Sequence, residues 1–305
     1  MKYIKFILTR AIFTYLVFFL ALWYIPWFYM ARAHSIAQIL TRLTPQIDYF
    51  EDFVKPHEHF DADKLNLCIN YHKRTAHFIP LEKSEAYQMT GYCYALLGDP
   101  SNAEKYYQMS TKVQSGQNYF WPCYNLGILA FRDGDYNKAV DQFQKALVLE
   151  EDVNHWLWRH SKVFNDVRVS DPKISDDHFI ENFKESRKQA YILLMESKVR
   201  LKSYAQLFKV VSLGLKDNLG EDDIFYYYGG VGDYYLGNYK EALMFLHLAL
   251  RGNPNNSDAI IFIGKCVEGM GRQDLAQEFY DQAEIIKQRD GPFIEKRLNP
   301  PVRFF

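Results

Sequence analysis

The sequence predicts an all-α protein, a stacked solenoid of helix pairs behind one N-terminal transmembrane helix. Three observations carry that reading. Small and aromatic residues recur at a period of about 34; residues 11–30 hold no charge; and no segment is rich in strand-forming alternation. The clearest unit runs from Cys123 to Leu149, CYNLGILAFRDGDYNKAVDQFQKALVL. Gly127 and Ala139 let its two helices approach closely, Ala146 does the same toward the next unit, and Gly134 with Asp135 makes the turn. One such pair cannot bury its apolar face alone, so neighbours are required.

From the N-terminus, Lys2, Lys5 and Arg10 precede the uncharged run Ala11 to Met30, which is long enough to span a bilayer. Trp23, Tyr24, Trp27, Phe28 and Tyr29 crowd its far end, where amphipathic rings favour the headgroup region. Ala31-Arg32-Ala33 resembles a signal-peptidase site, but the apolar run exceeds the roughly 7–15 residues of a signal peptide. Basic residues before the span set the N-terminus in the cytoplasm, against Arg32 and Arg42 beyond it. In a bacterium that places the body in the periplasm on the inner membrane, with a cytoplasmic body as the alternative.

Residues 1–31 are thus the anchor. Residues 32–83 hold a juxtamembrane helix (Ile36, Ile39, Leu40 and Leu43 on one face, stopped by Pro45), an acidic and aromatic connector, and a helix over Asp61 to His77 that caps the first repeat. His57, His59, His72 and His77 lack a second fixed ligand pair, so no metal site is expected.

Residues 84–153 make the first two repeats. Tyr87, Gly91, Tyr94, Gly98, Ala103 and Tyr107 mark the first, with Ser110 in place of its second Ala; the other begins near Phe120. Residues 154–187, with Trp156 and Trp158, lack the Gly and Ala positions and read as a degenerate repeat or an inserted helix and loop. Residues 188–289 hold three more repeats. The first of these is weak, through Tyr191, Lys202, Tyr204, Leu207 and Gly214, with Met195 replacing the packing Gly. Two clear ones follow, through Gly230, Gly237, Ala242 and Ala249, then Gly264, Gly271, Ala276, Tyr280 and Ala283. The tail, residues 290–305, bears prolines and no periodicity; it is expected to be extended or bound along the surface, with Val302 to Phe305 placed to dock on a partner or on its own solenoid.

Composition narrows the function classes. A net charge of -1 with 24% charged residues gives no electrostatic case for nucleic acid. The 17% aromatic share, 23 Tyr and 23 Phe, points to exposed ring surface. Cys68, Cys93, Cys123 and Cys266 form no C-x-x-C pair; Cys93, Cys123 and Cys266 fall at small core positions of the repeat register, and thiols in different repeats are not expected to meet. No G-x-S-x-G, Walker A loop or dinucleotide fingerprint is present, and Gly229-Gly230-Val231-Gly232 lies inside a helix at the packing position. No enzyme, cofactor or small-molecule substrate is expected.

Over 84–287 these positions resemble the tetratricopeptide repeat (TPR) family. The resemblance implies a right-handed superhelical solenoid whose first helices line a concave groove that binds peptides or proteins. On this sequence the groove would carry Tyr92, Trp121, Tyr124, Ile128, Phe131, Arg132, Glu196, Arg200, Tyr227, Tyr234, Tyr235 and Lys265. Members that clamp a chaperone's terminal carboxylate use Lys and Asn where this chain has Tyr124 and Ile128, so the implied recognition is aromatic stacking and apolar burial, with Arg132 and Arg200 steering acidic groups. Overall the chain resembles membrane-anchored bacterial repeat scaffolds and assembly factors of envelope complexes, without the paired-cysteine metal module of one such group. The alternatives are a permanent subunit of a motility or secretion machine, or a regulatory subunit of a membrane enzyme.

Overall fold

A five-residue punctuation recurs along the chain, and in the computed structural model each occurrence closes a helical hairpin. The structure describes residues 62–78, 83–113, 120–148, 176–220 and 222–298, with Phe28 and Pro300. Among them are eleven α-helices and no strand: α1 (Ala62–Phe78), α2 (Lys83–Leu96), α3 (Pro100–Thr111), α4 (Phe120–Arg132), α5 (Tyr136–Val148), α6 (Asp176–Arg200), α7 (Tyr204–Asp217), α8 (Asp222–Tyr235), α9 (Tyr239–Gly252), α10 (Ser257–Gly269) and α11 (Gln273–Asp290). A 3-10 turn, Glu295–Arg297, follows. Residues 11–30, the expected span, lie outside the described residues apart from Phe28; among the described residues no helix is long and apolar enough to cross a membrane. His57, His59, Trp156 and Trp158 also lie outside them.

The same pair of backbone bonds terminates the first helix of all five hairpins. Asp99, Asp135, Ser203, Asn238 and Arg272 donate their N–H to the carbonyl five residues back, while Gly98, Gly134, Lys202, Gly237 and Gly271 donate to the carbonyl three residues back. This is the Schellman arrangement, which needs a left-handed residue at the inner position. Glycine supplies it four times, at φ from 72° to 82°; in the α6–α7 hairpin Lys202 does so at φ 54°. Asp99 and Asp135 then accept from the N–H groups of Asn102 and Lys138, capping the helices that follow.

Seven residues before each turn, the packing position brings the two helices together. A Cβ on Gly127 would lie 2.6 Å from the Phe143 ring; on Gly91, 2.8 Å from Tyr107; on Gly230, 2.6 Å from Leu246; on Gly264, 2.6 Å from Tyr280. A bulky second-helix side chain fills the room left by the missing Cβ. In the α6–α7 hairpin the volumes are exchanged: Met195 stands at the packing position, and Val211 holds the register position of Phe143, both buried. The weak third repeat is therefore a complete helical hairpin. Its first helix starts at Asp176, so the 187/188 boundary expected between insert and repeat falls inside one continuous helix. Arg187 and Tyr191 on α6 both reach Asp217 at the end of α7, at 2.5 and 2.9 Å.

Two compact units divide at Pro122/Cys123. In the first, α1 packs on α2 and α2 on α3. Leu65, Cys68, Ile69, Cys93 and Leu96 form its core. Ser110, in the place of a repeat alanine, bonds Ser84 reciprocally at 2.7–3.0 Å, which satisfies both buried hydroxyls. The cysteine expectation is corrected here. Cys68 lies on α1, outside the repeats, and α1 packs so closely on α2 that the Cys68 and Cys93 sulfurs are 2.9 Å apart. Cys123 and Cys266 are buried elsewhere, and burial pushes both thiols up to about 11.

In the second unit, α5 packs on α6, α6 on α7, α7 on α8, α8 on α9, α9 on α10 and α10 on α11. The first helices also pack in series, α6 on α8 and α8 on α10. They form a continuous face of first helices.

Gly127→Ala drives a methyl into the Phe143 ring and is expected to lower stability by about 1–3 kcal/mol, whereas Lys202→Gly is expected to raise it by about 0.5–1 kcal/mol, as the left-handed strain relieved exceeds the entropy glycine adds to the unfolded chain; urea denaturation midpoints measure both. Mild oxidation of the folded chain is expected to remove two of the four free thiols and to join the Cys68 and Cys93 peptides in a non-reducing digest. Four titratable thiols after oxidation would contradict the 2.9 Å approach.

Candidate partner-binding face

Aromatic residues at the C-terminal ends of the first helices converge in the second unit. Tyr235, ending α8, stacks on Tyr204 of α7 with ring centroids 4.5 Å apart and planes 9° off parallel. Phe262 of α10 sits edge-on to Tyr227, Tyr234 and Tyr235 at 5.9, 5.4 and 6.1 Å. Tyr239 packs on Tyr234 at 5.9 Å. Lys265 holds its ammonium 4.4 Å from the Phe262 centroid, a cation–π contact worth about 0.5–1 kcal/mol at a partly exposed site. Tyr235 is 45% exposed and Leu236, next to it, 46%. The cluster therefore shows ring surface to solvent while its inner rings hold it rigid.

A polar network lies beside it. Glu196 accepts from Arg200 Nε at 2.7 Å and from the Tyr228 hydroxyl at 3.1 Å. Burial, followed by the nearby carboxylates Glu196 and Asp258, raises the Tyr227 and Tyr228 phenols well above their ordinary value, so both remain neutral. The Arg200 head is exposed and Glu196 is buried, which leaves one cationic edge outward.

The same face holds a length of the chain itself. Past α11, Gly291 adopts φ 74° and turns the backbone back over the first helices. Asp258 of α10 accepts from the Ile294 N–H at 2.8 Å; Gln189 of α6 donates to the Arg297 carbonyl; Arg132, ending α4, donates to the Pro300 carbonyl at 2.5 Å. Ile294 and Pro300 are buried. Of the two courses expected for the tail, its described part follows the second: 295–297 form a 3-10 turn, and Ile294, Arg297 and Pro300 are bound on the chain's own first helices.

Of the expected groove residues, several face inward. Trp121 (2% exposed), Tyr124 (0%), Ile128 (1%), Glu196 (7%) and Tyr227 (6%) are buried. Tyr124 meets the Phe143 ring edge-on at 6.4 Å and Trp121 meets Phe120 at 5.0 Å, so these side chains pack against other rings instead of lying open to a partner. Tyr92 is half-buried against the Leu65–Cys93 core of the first unit, and Phe131 packs edge-on to Tyr136 at 5.5 Å. Arg132, Arg200, Tyr234, Tyr235 and Lys265 keep exposed or half-exposed surface. Among the described residues no three His, Cys, Asp or Glu side chains converge to hold a metal ion.

Models of one family match two stretches of the chain. Residues 84–115 and 121–153 match the tetratricopeptide repeat. No curated protein matches the chain. Among solved structures, MamA 41-end from Desulfovibrio magneticus RS-1 is similar at 17% identity and TM-score 0.49, over 68% of this chain and 97% of that one. MamA MSR-1 C2 is similar at 15% identity and TM-score 0.45, over 68% and 98%. The TPR2AB-domain:pHSP90-complex of yeast Sti1 is similar at 13% identity and TM-score 0.31, over 79% and 91%.

The repeat spacing explains which residues of this face the sequence reading missed. Gln189 stands six residues before Met195 and Asp258 six before Gly264, the place that Trp121 takes relative to Gly127. Aromatic character drew attention to Trp121, while the polar residues at the equivalent positions of two later repeats are the ones that hold the tail. Phe262 and Tyr204, central to the ring cluster, were missed because Phe262 lies outside the register positions expected to face the groove and Tyr204 belongs to a second helix.

Proposed function

We propose that this chain is a protein-interaction scaffold or assembly factor, tethered to a membrane by residues 11–30, that receives a partner protein on the first-helix face of its tetratricopeptide repeats. The observation that carries the proposal is the rigid ring cluster of Tyr204, Tyr227, Tyr234, Tyr235 and Phe262, capped by Lys265 and exposed at Tyr235. Aromatic anchors with little conformational entropy to lose, set beside a cation, are the usual composition of an interface hot spot. The span supports the tether, since it concentrates the face beside membrane partners and raises effective concentration without a new contact. In a bacterium the body would stand in the periplasm, against the inner membrane. Binding and positioning account for every cluster described, and no catalytic step is part of the proposal.

A photoreactive residue at Tyr235, with a second at Arg200, in the full chain in its native membrane tests both halves. The expected outcome is a discrete heteromeric adduct from alkaline-washed membranes, reduced about three- to tenfold by Phe262→Ala, as fits loss of aromatic contacts worth about 0.5–1.5 kcal/mol. Removal of residues 1–31 is expected to release the chain into the soluble fraction. No adduct from either position, or an adduct unaffected by Phe262→Ala, would sink the partner face; retention without residues 1–31 would sink the tether.

A further inference from the structure

We propose that residues 291–298 with Pro300 are an internal ligand of this groove, a strap that the external partner must displace, and that the partner presents an extended segment of the same chemistry. The inference rests on the scaffold reading above and names what the face recognises. Three features support it. First, the strap is held at Gln189 and Asp258, equivalent register positions on two first helices, and at Arg132, the register equivalent of Arg200 and Tyr235. These are the positions from which a repeat array addresses whatever lies across its first helices. Second, every one of those contacts is to a main-chain group of the strap: the N–H of Ile294 and the carbonyls of Arg297 and Pro300. They recur every third residue, so one edge of the strap faces the helices throughout. A surface that reads backbone accepts any chain able to present the same edge.

Third, the side chains that select among such chains are few. Ile294 is 7% exposed and Pro300 is buried, while Glu295 between them is exposed. The segment recognised is thus one with an apolar anchor followed six residues later by a proline, whose missing N–H leaves the carbonyl as its one main-chain contact group. Among its described residues the strap forms one 3-10 turn of its own and takes these three hydrogen bonds from side chains of the body. Its advantage over a free peptide is covalent attachment at Gly291, which gives it an effective concentration on the order of millimolar.

The test uses the full chain, purified with its N-terminal segment in detergent, and a fluorescent peptide of sequence GPFIEKRLNPPVRFF, residues 291–305. Ile294→Asp in the chain removes the strap's apolar anchor and leaves the groove residues unchanged. Fluorescence anisotropy is expected to show the peptide binding the Ile294→Asp chain at least tenfold more tightly than the wild type, and adding Arg132→Ala to Ile294→Asp is expected to reverse the gain. Pro300→Asp, at the other end of the strap, should reproduce the opening; this covers the case in which Ile294→Asp does not fold. Equal binding to both chains, or no binding by about 1 mM peptide, would overturn the internal ligand. Wild-type dimers that the peptide dissociates would also overturn it, by assigning the strap to a second copy. A peptide that fails while the Tyr235 adduct still forms removes the strap and leaves the scaffold; peptide binding without an adduct does the reverse.

Discussion

How closely the two helices of a pair can approach is the constraint on which the rest of this structure depends. At the packing position a bare Cα admits the ring of Tyr107, Phe143 or Tyr280, or the Leu246 side chain, to distances that a Cβ would forbid. Seven residues on, a left-handed residue closes the turn and fixes the rotation of the second helix against the first. With spacing and rotation set together, the next pair can stack only one way, and the first helices α6, α8 and α10 come to lie side by side. The face that carries the ring cluster and the strap is a consequence of that stacking, since Phe262 meets Tyr235 and Tyr204 meets Tyr235 only across packed helices. Interiors packed at crystalline density pass such local geometry on without averaging it away.

The α6–α7 pair shows that the constraint concerns volume and turn geometry and not residue identity. Met195 stands where glycine stands elsewhere, the smaller Val211 stands where a ring or leucine does, and both are buried. Lys202 accepts a left-handed conformation that costs about 1–2 kcal/mol outside glycine, and the same two turn bonds form around it. These compensations explain why the repeat was legible only faintly. A pattern of single residues records Gly and Ala; it does not record a matched exchange between positions sixteen residues apart. The helix start at Asp176 was hidden for a related reason, because DDHFIENFKESR is polar enough to read as a connector and owes its helical state to continuity with the buried run Ala190 to Met195.

Most of the fold was therefore readable from spacing, and the side-chain directions at the site were not. Trp121, Tyr124 and Tyr235 are equally aromatic, and register places all three on first helices; two are closed off by packing and one is open. What separates them is the neighbour each meets, a three-dimensional fact. Cys68 and Cys93 follow the same logic from the other side. Register kept them apart because α1 is not a repeat helix, yet α1 covers α2 as a further helix would and brings the sulfurs together. The docking of the strap was one of two courses the sequence left open. Its contacts are to backbone, so no composition or periodicity in GPFIEKRLNPPVRFF distinguishes a docked tail from a loose one.

A groove occupied in cis changes what affinity means for its partner. If the strap leaves the face open for a small fraction of the time, the apparent dissociation constant of any competitor rises by the inverse of that fraction, whatever contacts it makes. Main-chain contacts suit that role, because each is worth only about 0.5–1.5 kcal/mol net and none locks the strap in place. A partner then gains most by engaging surface the strap does not cover. Tyr235, 45% exposed with the strap in place, is such surface, and with Tyr204, Phe262 and Lys265 it belongs to α7, α8 and α10, part of the run of helices that carries the strap. A ligand that grips the rings first and then follows the backbone-reading positions toward Arg132 would pass the two parts of the face in order. The ring cluster would set which protein binds, and the strap would set how much of it is needed.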